Sequence, residues 1–336
     1  STAPSPCPAP TNCQLRPASA IKTSIKSDQY GICTQYNYLG ALGAQNWLSL
    51  SADPTYGHFE LEAAFRQHAD EIVTAAQLIG QSVDFISLGP GDGSLDLTML
   101  RAFQRYTTLS HYYPFDLSFE LLQRTVSHVL LKSGDSFPKN IRIKAIHGDF
   151  TRLITYKPIY SFAPSINFFA LIGYSLGNHN EAELLGKIRE GMEIGDLLFL
   201  DARLYQDGTY TGQKPNKEQI IEITRSYSHG LNNRFAFGPL EAATLAEFSE
   251  TQFMYDVNTR LTAVPNARNI TTYCENIQTK FRRTGTRLSR KRLDLAVTTV
   301  YDDASLAEWL PTRGFDLVWH KREKRTAFYL LRKSSD

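Results

Sequence analysis

With 336 residues, 42% of them hydrophobic, the chain has material for one large core or two of ordinary size, as a globular protein requires. No apolar run approaches the ~20 residues that a membrane-crossing helix needs. A balance of 36 basic against 34 acidic side chains, net +2, gives no reason from charge to invoke a nucleic acid or a membrane surface as partner.

Residues 1–20 are rich in Pro, Ala, Ser and Thr without periodic apolar positions, and read as a flexible arm able to act as a lid. No apolar h-region opens the chain. Cys7, Cys13, Cys33 and Cys274 form no CxxC pair and no Cys/His cluster, so no metal site is expected. Free thiols in a cytoplasmic enzyme are the expectation, with a Cys7–Cys13 pairing in an oxidising compartment as the alternative. From Tyr30 the chain turns aromatic and apolar, with Tyr36, Tyr38, Leu39, Leu42, Trp47 and Leu48. Asp53-Pro54-Thr55-Tyr56-Gly57-His58 is turn-forming, and its Tyr56 and His58 read equally as loop residues or as site residues. Glu60 to Leu78 then places Leu61, Ala64, Phe65, His68, Ile72, Ala75 and Leu78 at helical spacing.

Next comes VDFISLGPGDGSL, Val83 to Leu95. Val83, Phe85, Ile86 and Leu88 predict a buried parallel strand, and Gly89, Gly91 and Gly93 predict a tight turn against which a ligand can lie without meeting a Cβ. Leu95, Met99, Leu100 and Phe103 predict a helix whose N-terminus faces that ligand. A second apolar run with Tyr112, Tyr113 and Phe115 ends in Asp116, an acceptor placed for both ribose hydroxyls of an adenosine. A third, with Ile141, Ile143, Ala145 and Ile146, ends in His147-Gly148-Asp149-Phe150, where Asp149 can accept from an adenine amino group beside the apolar Phe150. A fourth strand, Ser165 to Leu171, runs into a loop through Gly177, Asn178 and His179, beside the ligand's reactive end in such a sheet. Asn178 there reads as a substrate contact or as a helix N-cap. A helix from Glu181 to Met192 and a fifth strand from Leu197 to Asp201 follow.

In the last third, Glu218 to Ser226 and Leu240 to Phe248 read as helices, and Phe253 to Val257 and Arg260 to Val264 as strands. Lys280 to Arg292 is a basic run, equally readable as a solvated face. Ser305 to Leu310 predicts a short helix, and Asp316 to His320 with Ala327 to Leu331 an antiparallel hairpin.

The glycine motif, Asp116 and Gly148-Asp149-Phe150 together resemble class I S-adenosylmethionine-dependent methyltransferases, although Ser87 stands where an acid usually precedes the first glycine. Adding Tyr38, Tyr56, Pro114-Phe115-Asp116-Leu117-Ser118, Gly177-Asn178 and Gly195-Asp196 makes the chain similar to the histidine-specific, ergothioneine-biosynthesis type of that class, from about Tyr36 to Leu331. That resemblance implies an α/β Rossmann-like class I methyltransferase sheet, parallel strands plus a C-terminal antiparallel hairpin, with a second α+β substrate domain. The domain boundaries implied are an arm at 1–20, substrate-domain segments at 21–60 and 203–295, and a methyltransferase core at 61–202 and 296–336. It implies S-adenosylmethionine as cofactor, held by Gly89, Gly91, Asp92, Gly93, Asp116, Ser118, Asp149 and Phe150. Tyr38, Tyr56, Asn178 and Tyr227 would hold the substrate, with Tyr56 and Tyr227 nearest the chemistry.

Where that family carries an acidic residue toward an imidazole, this chain offers Arg287 or Lys291. The wrong charge for histidine leads to the expectation of N-methylation of another small amino acid or amine, in natural-product biosynthesis. An O- or C-methyltransferase, or a silent cofactor-binding scaffold, are the alternatives. Aminopropyl transfer on the same fold is disfavoured because the Gly177-Asn178 loop lacks an acidic pair.

Overall fold

A computed structural model describes residues 34–133, 141–161, 165–205, 218, 224, 227, 230–242, 253–258, 262–280 and 287–335. The described residues begin with a 3-10 turn at Thr34–Tyr38, α1 (Gly40–Ser51), a second 3-10 turn at Pro54–Tyr56 and α2 (His58–Ala75). There follow β1 (Ser82–Leu88), α3 (Ser94–Tyr106), β2 (Thr108–Asp116), α4 (Phe119–Ser133), β3 (Arg142–Ile143), β4 (Ile146–His147) and α5 (Lys157–Tyr160). Next are β5 (Ile166–Leu171), α6 (Glu181–Gly191) and β6 (Leu197–Arg203), then α7 (Gly230–Ala242), β7 (Phe253–Asn258), β8 (Arg268–Lys280) and β9 (Arg287–Val300). Helix α8 (Asp303–Trp309) and strands β10 (Phe315–Glu323) and β11 (Thr326–Lys333) close the chain. It divides into two compact units, Ser1–Gly57 with Gly208–Leu261 and Arg268–Thr299, and His58–Asp207 with Thr262–Ala267 and Val300–Asp336.

The second unit is built on a sheet of order β10-β11-β6-β5-β1-β2-β3, with β4 also paired to β2. Strands β1, β2, β5 and β6 run parallel, and β11 joins β6 antiparallel as the inner strand of the terminal hairpin. Alternation along β1 sends Val83 and Phe85 into one core and Ile86 and Leu88 into the other, so the sheet is buried on both faces. Helix α2 contributes Leu61, Phe65, Ala69 and Ile72, three and four residues apart, to the first of these cores. His68 on the same face is buried and satisfied, its ring nitrogens 3.0 Å from Glu71 Oε2 and 3.0 Å from Glu323 Oε1.

The third strand differs from the continuous run expected from Ile141 to Ile146. β3 and β4 both pair with β2, but the ladder lapses opposite Pro114, which has no N–H to give. Arg260 to Val264 was expected as a strand. Thr262 to Val264 instead form irregular chain fastened to α6, while 259–261 lie outside the described residues. Glu181, 0% exposed, accepts from Thr262 Oγ1 (3.0 Å), Ala263 N (3.3 Å) and Tyr301 Oη (3.1 Å). The first residue of α6 thus ties down two points at which the chain passes between the units.

In the first unit, α1 and α7 pack together and Asn46 Nδ2 donates to Arg234 O at 3.4 Å. The sheet has the order β7-β8-β9, with β7 antiparallel to β8. Of the helix expected over Leu240 to Phe248, Leu240 to Ala242 are helical. The observed helix is α7, which contains Pro239 and ends at Ala242, and 243–250 lie outside the described residues, as do the arm at 1–20 and Cys7, Cys13 and Cys33. Cys274 is a free, buried thiol, and burial pushes it up to about 12. Among the described residues no helix is long and apolar enough to cross a membrane, and no group of His, Cys, Asp and Glu is placed to hold a metal ion.

Candidate active site

The carboxyl ends of β1, β2, β4 and β5 converge in the second unit, and each delivers one part of the site. β1 runs into the glycine loop, where Gly89 N donates to Phe115 O at 2.8 Å. Gly93 has φ +82°, and a Cβ there would lie 3.2 Å from the carbonyl oxygen of Thr125, so any larger residue would be strained and crowded. Thr125 Oγ1 donates to Gly91 O at 2.9 Å, clamping the loop onto α4. Asp92 Oδ1 accepts Ser94 N at 2.9 Å where α3 begins.

Asp116 ends β2 with Oδ1 accepting Ser118 N at 2.8 Å. Burial pushes its carboxyl up to about 7, against the stabilising backbone N–H groups of Ser118, Gly91 and Leu117. A carboxylate so poorly solvated gains from any hydroxyl donors brought to it. Asp149, past β4, accepts Thr151 N (2.9 Å) and Thr151 Oγ1 (2.7 Å) on Oδ1, while Oδ2 is buried without a partner. Phe150 stands over the glycines, since a Cβ on Gly89 would be 3.5 Å from Phe150 Cε1 and 4.0 Å from Ser175 Oγ. The Ser175–Asn178 turn beyond β5 therefore shares this space.

Sequence reasoning did not assign His179 to this group. Its ring packs edge-on against Phe150, centroids 5.6 Å apart, and burial lowers it to about 4, so the imidazole is neutral. Only its place next to Asn178 hinted at it. The N-cap of α6 is Asn180, which accepts Glu183 N at 3.0 Å, so Asn178 does not fill the cap. The residue that precedes the turn is fixed at both its backbone and its side chain. Tyr174 takes φ +62°, unusual for a bulky residue, with its N–H on Asp201 Oδ1 (3.0 Å) and its phenol 2.7 Å from Thr326 Oγ1. Asp201 is 0% exposed, and burial pushes it up to about 7.

The remaining candidates belong to the first unit. Tyr38 packs edge-on against Phe235 of α7, centroids 5.0 Å apart. Tyr56 closes the 3-10 turn after α1, where Asp53 accepts Thr55 N at 2.7 Å. Tyr227 is buried and accepts Asn232 Nδ2 on its carbonyl at 2.8 Å. Arg287 opens β9, but its side chain and that of Lys291 lie outside the described residues.

The second unit's set fits an adenosine-bearing cofactor. Asp116 offers acceptor capacity for ribose hydroxyls, the unspent Oδ2 of Asp149 suits an amino group, and Phe150 and neutral His179 offer ring surfaces. The profile of a family described as histidine-specific methyltransferase, SAM-dependent, matches residues 18–333. No curated protein sequence matches significantly. Solved structures similar to this chain include the magnesium protoporphyrin IX methyltransferase of Synechocystis PCC 6803 with bound S-adenosylhomocysteine, at 10% identity over 89% of this chain and 97% of that one, TM-score 0.45. Others are an S-adenosylmethionine-dependent methyltransferase of Clostridium acetobutylicum ATCC 824 (9% identity, 81% and 91% covered, TM-score 0.42) and a glycopeptide N-methyltransferase with S-adenosylhomocysteine (12%, 80% and 86%, TM-score 0.39).

Proposed function

We propose that this chain, which belongs to the histidine-specific, S-adenosylmethionine-dependent methyltransferase family, N-methylates a small amino acid or amine other than histidine. The observation that carries the reading is the meeting of Gly89, Phe150 and the Ser175–Asn178 turn around one space at the strand ends. When bound, S-adenosylmethionine would supply a methyl group whose carbon an amine lone pair attacks in line, the C–S bond breaking to release S-adenosylhomocysteine and the amine's proton passing to water.

In this reading Asp116 accepts the ribose hydroxyls and Asp149 the adenine amino group. Gly89, Gly91 and Gly93 let main chain approach the cofactor, Asp92 and Ser118 fix the two loops, and Phe150 covers the adenine. Asn178 can donate to a carboxylate and accept from an amine through one amide, which suits an amino-acid acceptor. Tyr38, Tyr56 and Tyr227 are assigned to the acceptor on the strength of the family resemblance, with Tyr56 and Tyr227 nearest the nitrogen. Their phenols accept hydrogen bonds from a neutral amine without acting as strong bases, and no general base is invoked. Substrate positioning is then the main source of rate, since displacement at a methyl carbon requires alignment above all. A cation at 287 or 291 favours an acceptor with an acidic or acceptor-rich far end and disfavours an imidazole, which supports placing the product outside histidine metabolism, among natural products.

The test incubates the full chain with methyl-labelled S-adenosylmethionine and either histidine or a panel of other amino acids and amines, reading products by mass and the methyl position by fragmentation. An N-methylated product from a non-histidine acceptor is expected. Efficient trimethylation of histidine would overturn the acceptor assignment, and labelled oxygen or carbon would overturn N-methylation.

A further inference from the structure

Asp96 has no part in the roles above. It is the third residue of α3, 1% exposed, and its Oδ1 accepts Ser87 Oγ at 2.8 Å while Oδ2 accepts the phenol of Tyr112. Ser87 lies on β1 just before the glycine loop, and Tyr112 lies on β2, the strand that ends in Asp116. One carboxylate therefore joins the two strands entering the cofactor site to the helix leaving it. Both its oxygens are spent on protein donors, and it is sealed from solvent, so it holds its place without touching a ligand.

Its charge reaches further than its contacts. The charged groups acting on it are Asp92 in the loop and Asp116 at the end of β2, both acidic, so no cation neutralises it from those sides. The positive end of α3 and the two hydroxyl donors stabilise the anion, whereas burial pushes the carboxyl up to about 7. S-adenosylmethionine and S-adenosylhomocysteine differ in one respect that such a group can sense. The donor carries a sulfonium charge, and the product does not. Where the carboxyl is ionised, its negative charge in a low-dielectric site lowers the energy of the first relative to the second.

We infer that Asp96 is a positioning residue that fixes the glycine loop and, through its charge, biases the site toward the sulfonium cofactor over its neutral product. The inference rests on the cofactor placement proposed above. Its consequence is easier exchange of spent product for fresh donor.

Calorimetry of the whole chain with S-adenosylmethionine and with S-adenosylhomocysteine tests it, in wild type, Asp96→Asn and Tyr112→Phe. At about pH 8, Asp96→Asn is expected to cut the preference for S-adenosylmethionine by at least about threefold, with a smaller change in S-adenosylhomocysteine affinity. Tyr112→Phe removes one of the two donors that stabilise the anion, and is expected to lower the preference less than Asp96→Asn does. Equal weakening of both ligands by Asp96→Asn, with the ratio intact, would make the role structural only and overturn the inference. Should Asp96→Asn not fold, the same ratio measured in Asp116→Asn from about pH 8 to about pH 6 serves instead: it falls if Asp96 supplies the bias, and a constant ratio refutes it. Asp116→Ala binding S-adenosylhomocysteine as tightly as wild type would refute the cofactor placement itself, a result distinct from an unchanged ratio.

Discussion

Replacing Glu181 with alanine probes how the chain is held where it passes between the units. The carboxylate is 0% exposed and accepts three donors, at 3.0, 3.3 and 3.1 Å. Alanine removes this acceptor from all three. Tyr301 is 1% exposed, so loss of this acceptor costs its buried phenol about 1–3 kcal/mol, whereas Thr262 and Ala263 recover part of theirs from water. Some of the loss is offset, because burial holds the Glu181 carboxyl above its ordinary range and removing it relieves that desolvation. The net expectation is a loss of about 3 kcal/mol. Glu181→Gln retains an oxygen for Thr262 and Tyr301, gives up only the Ala263 bond, and is expected to lose about 1 kcal/mol. Urea denaturation of wild type and both variants measures this. A loss below about 1 kcal/mol for Glu181→Ala, or equal damage from glutamine and alanine, would refute the reasoning.

Gly93→Ala combines φ +82° with contacts of 3.1–3.2 Å to Thr125 and is expected to lose about 1–3 kcal/mol of stability together with cofactor affinity. A fold and affinity like wild type would contradict the clamp on the loop. Asn178→Ala should weaken acceptor saturation and leave S-adenosylhomocysteine affinity nearly unchanged; the opposite pattern would assign the turn to the cofactor. Asp96, Asp116 and Asp201 are each pushed up to about 7 by burial, so the native state holds more protons than the unfolded chain between about pH 4 and 7. Without cofactor, stability should therefore fall as pH rises from about 6.5 to 7.5, where these three carboxyls still hold protons in the native state and the unfolded forms of His58 and His179, whose native titrations are lowered, have already lost about half or more of theirs. A denaturation midpoint that rises across that window would show that these carboxyls are ionised without penalty.

The grouping of Gly89, Asp116 and Asp149 at the strand ends was legible because each strand announces its end. Apolar runs stop at Gly89, at Asp116 and just before Asp149, and such punctuation is local. What sequence order hides is contact between distant residues. Asp201 shaping Tyr174, and Glu181 fastening Thr262, join positions far apart in the chain, and only folding makes the pairs visible. The start of α7 ahead of the expected Leu240 was hidden for a local reason. Pro239 and Gly238 argue against helix, yet α7 runs through both, and Gly238 leaves room for Asn46, whose Nδ2 would be 2.9 Å from a Cβ there. Thr262 to Val264 alternate as a strand would, but Glu181 supplies the hydrogen bonds that a neighbouring strand would otherwise give. His179 escaped assignment because its value to the site comes from burial against Phe150, which no spacing encodes.

The central claim is that the ends of the parallel strands hold S-adenosylmethionine, with Asp116 on its ribose. Isothermal calorimetry of S-adenosylhomocysteine against wild type and Asp116→Ala tests it most directly. The account predicts a loss of about 1–3 kcal/mol, on the order of ten- to a hundredfold in Kd. An Asp116→Ala chain that folds and binds S-adenosylhomocysteine as tightly as wild type would contradict it.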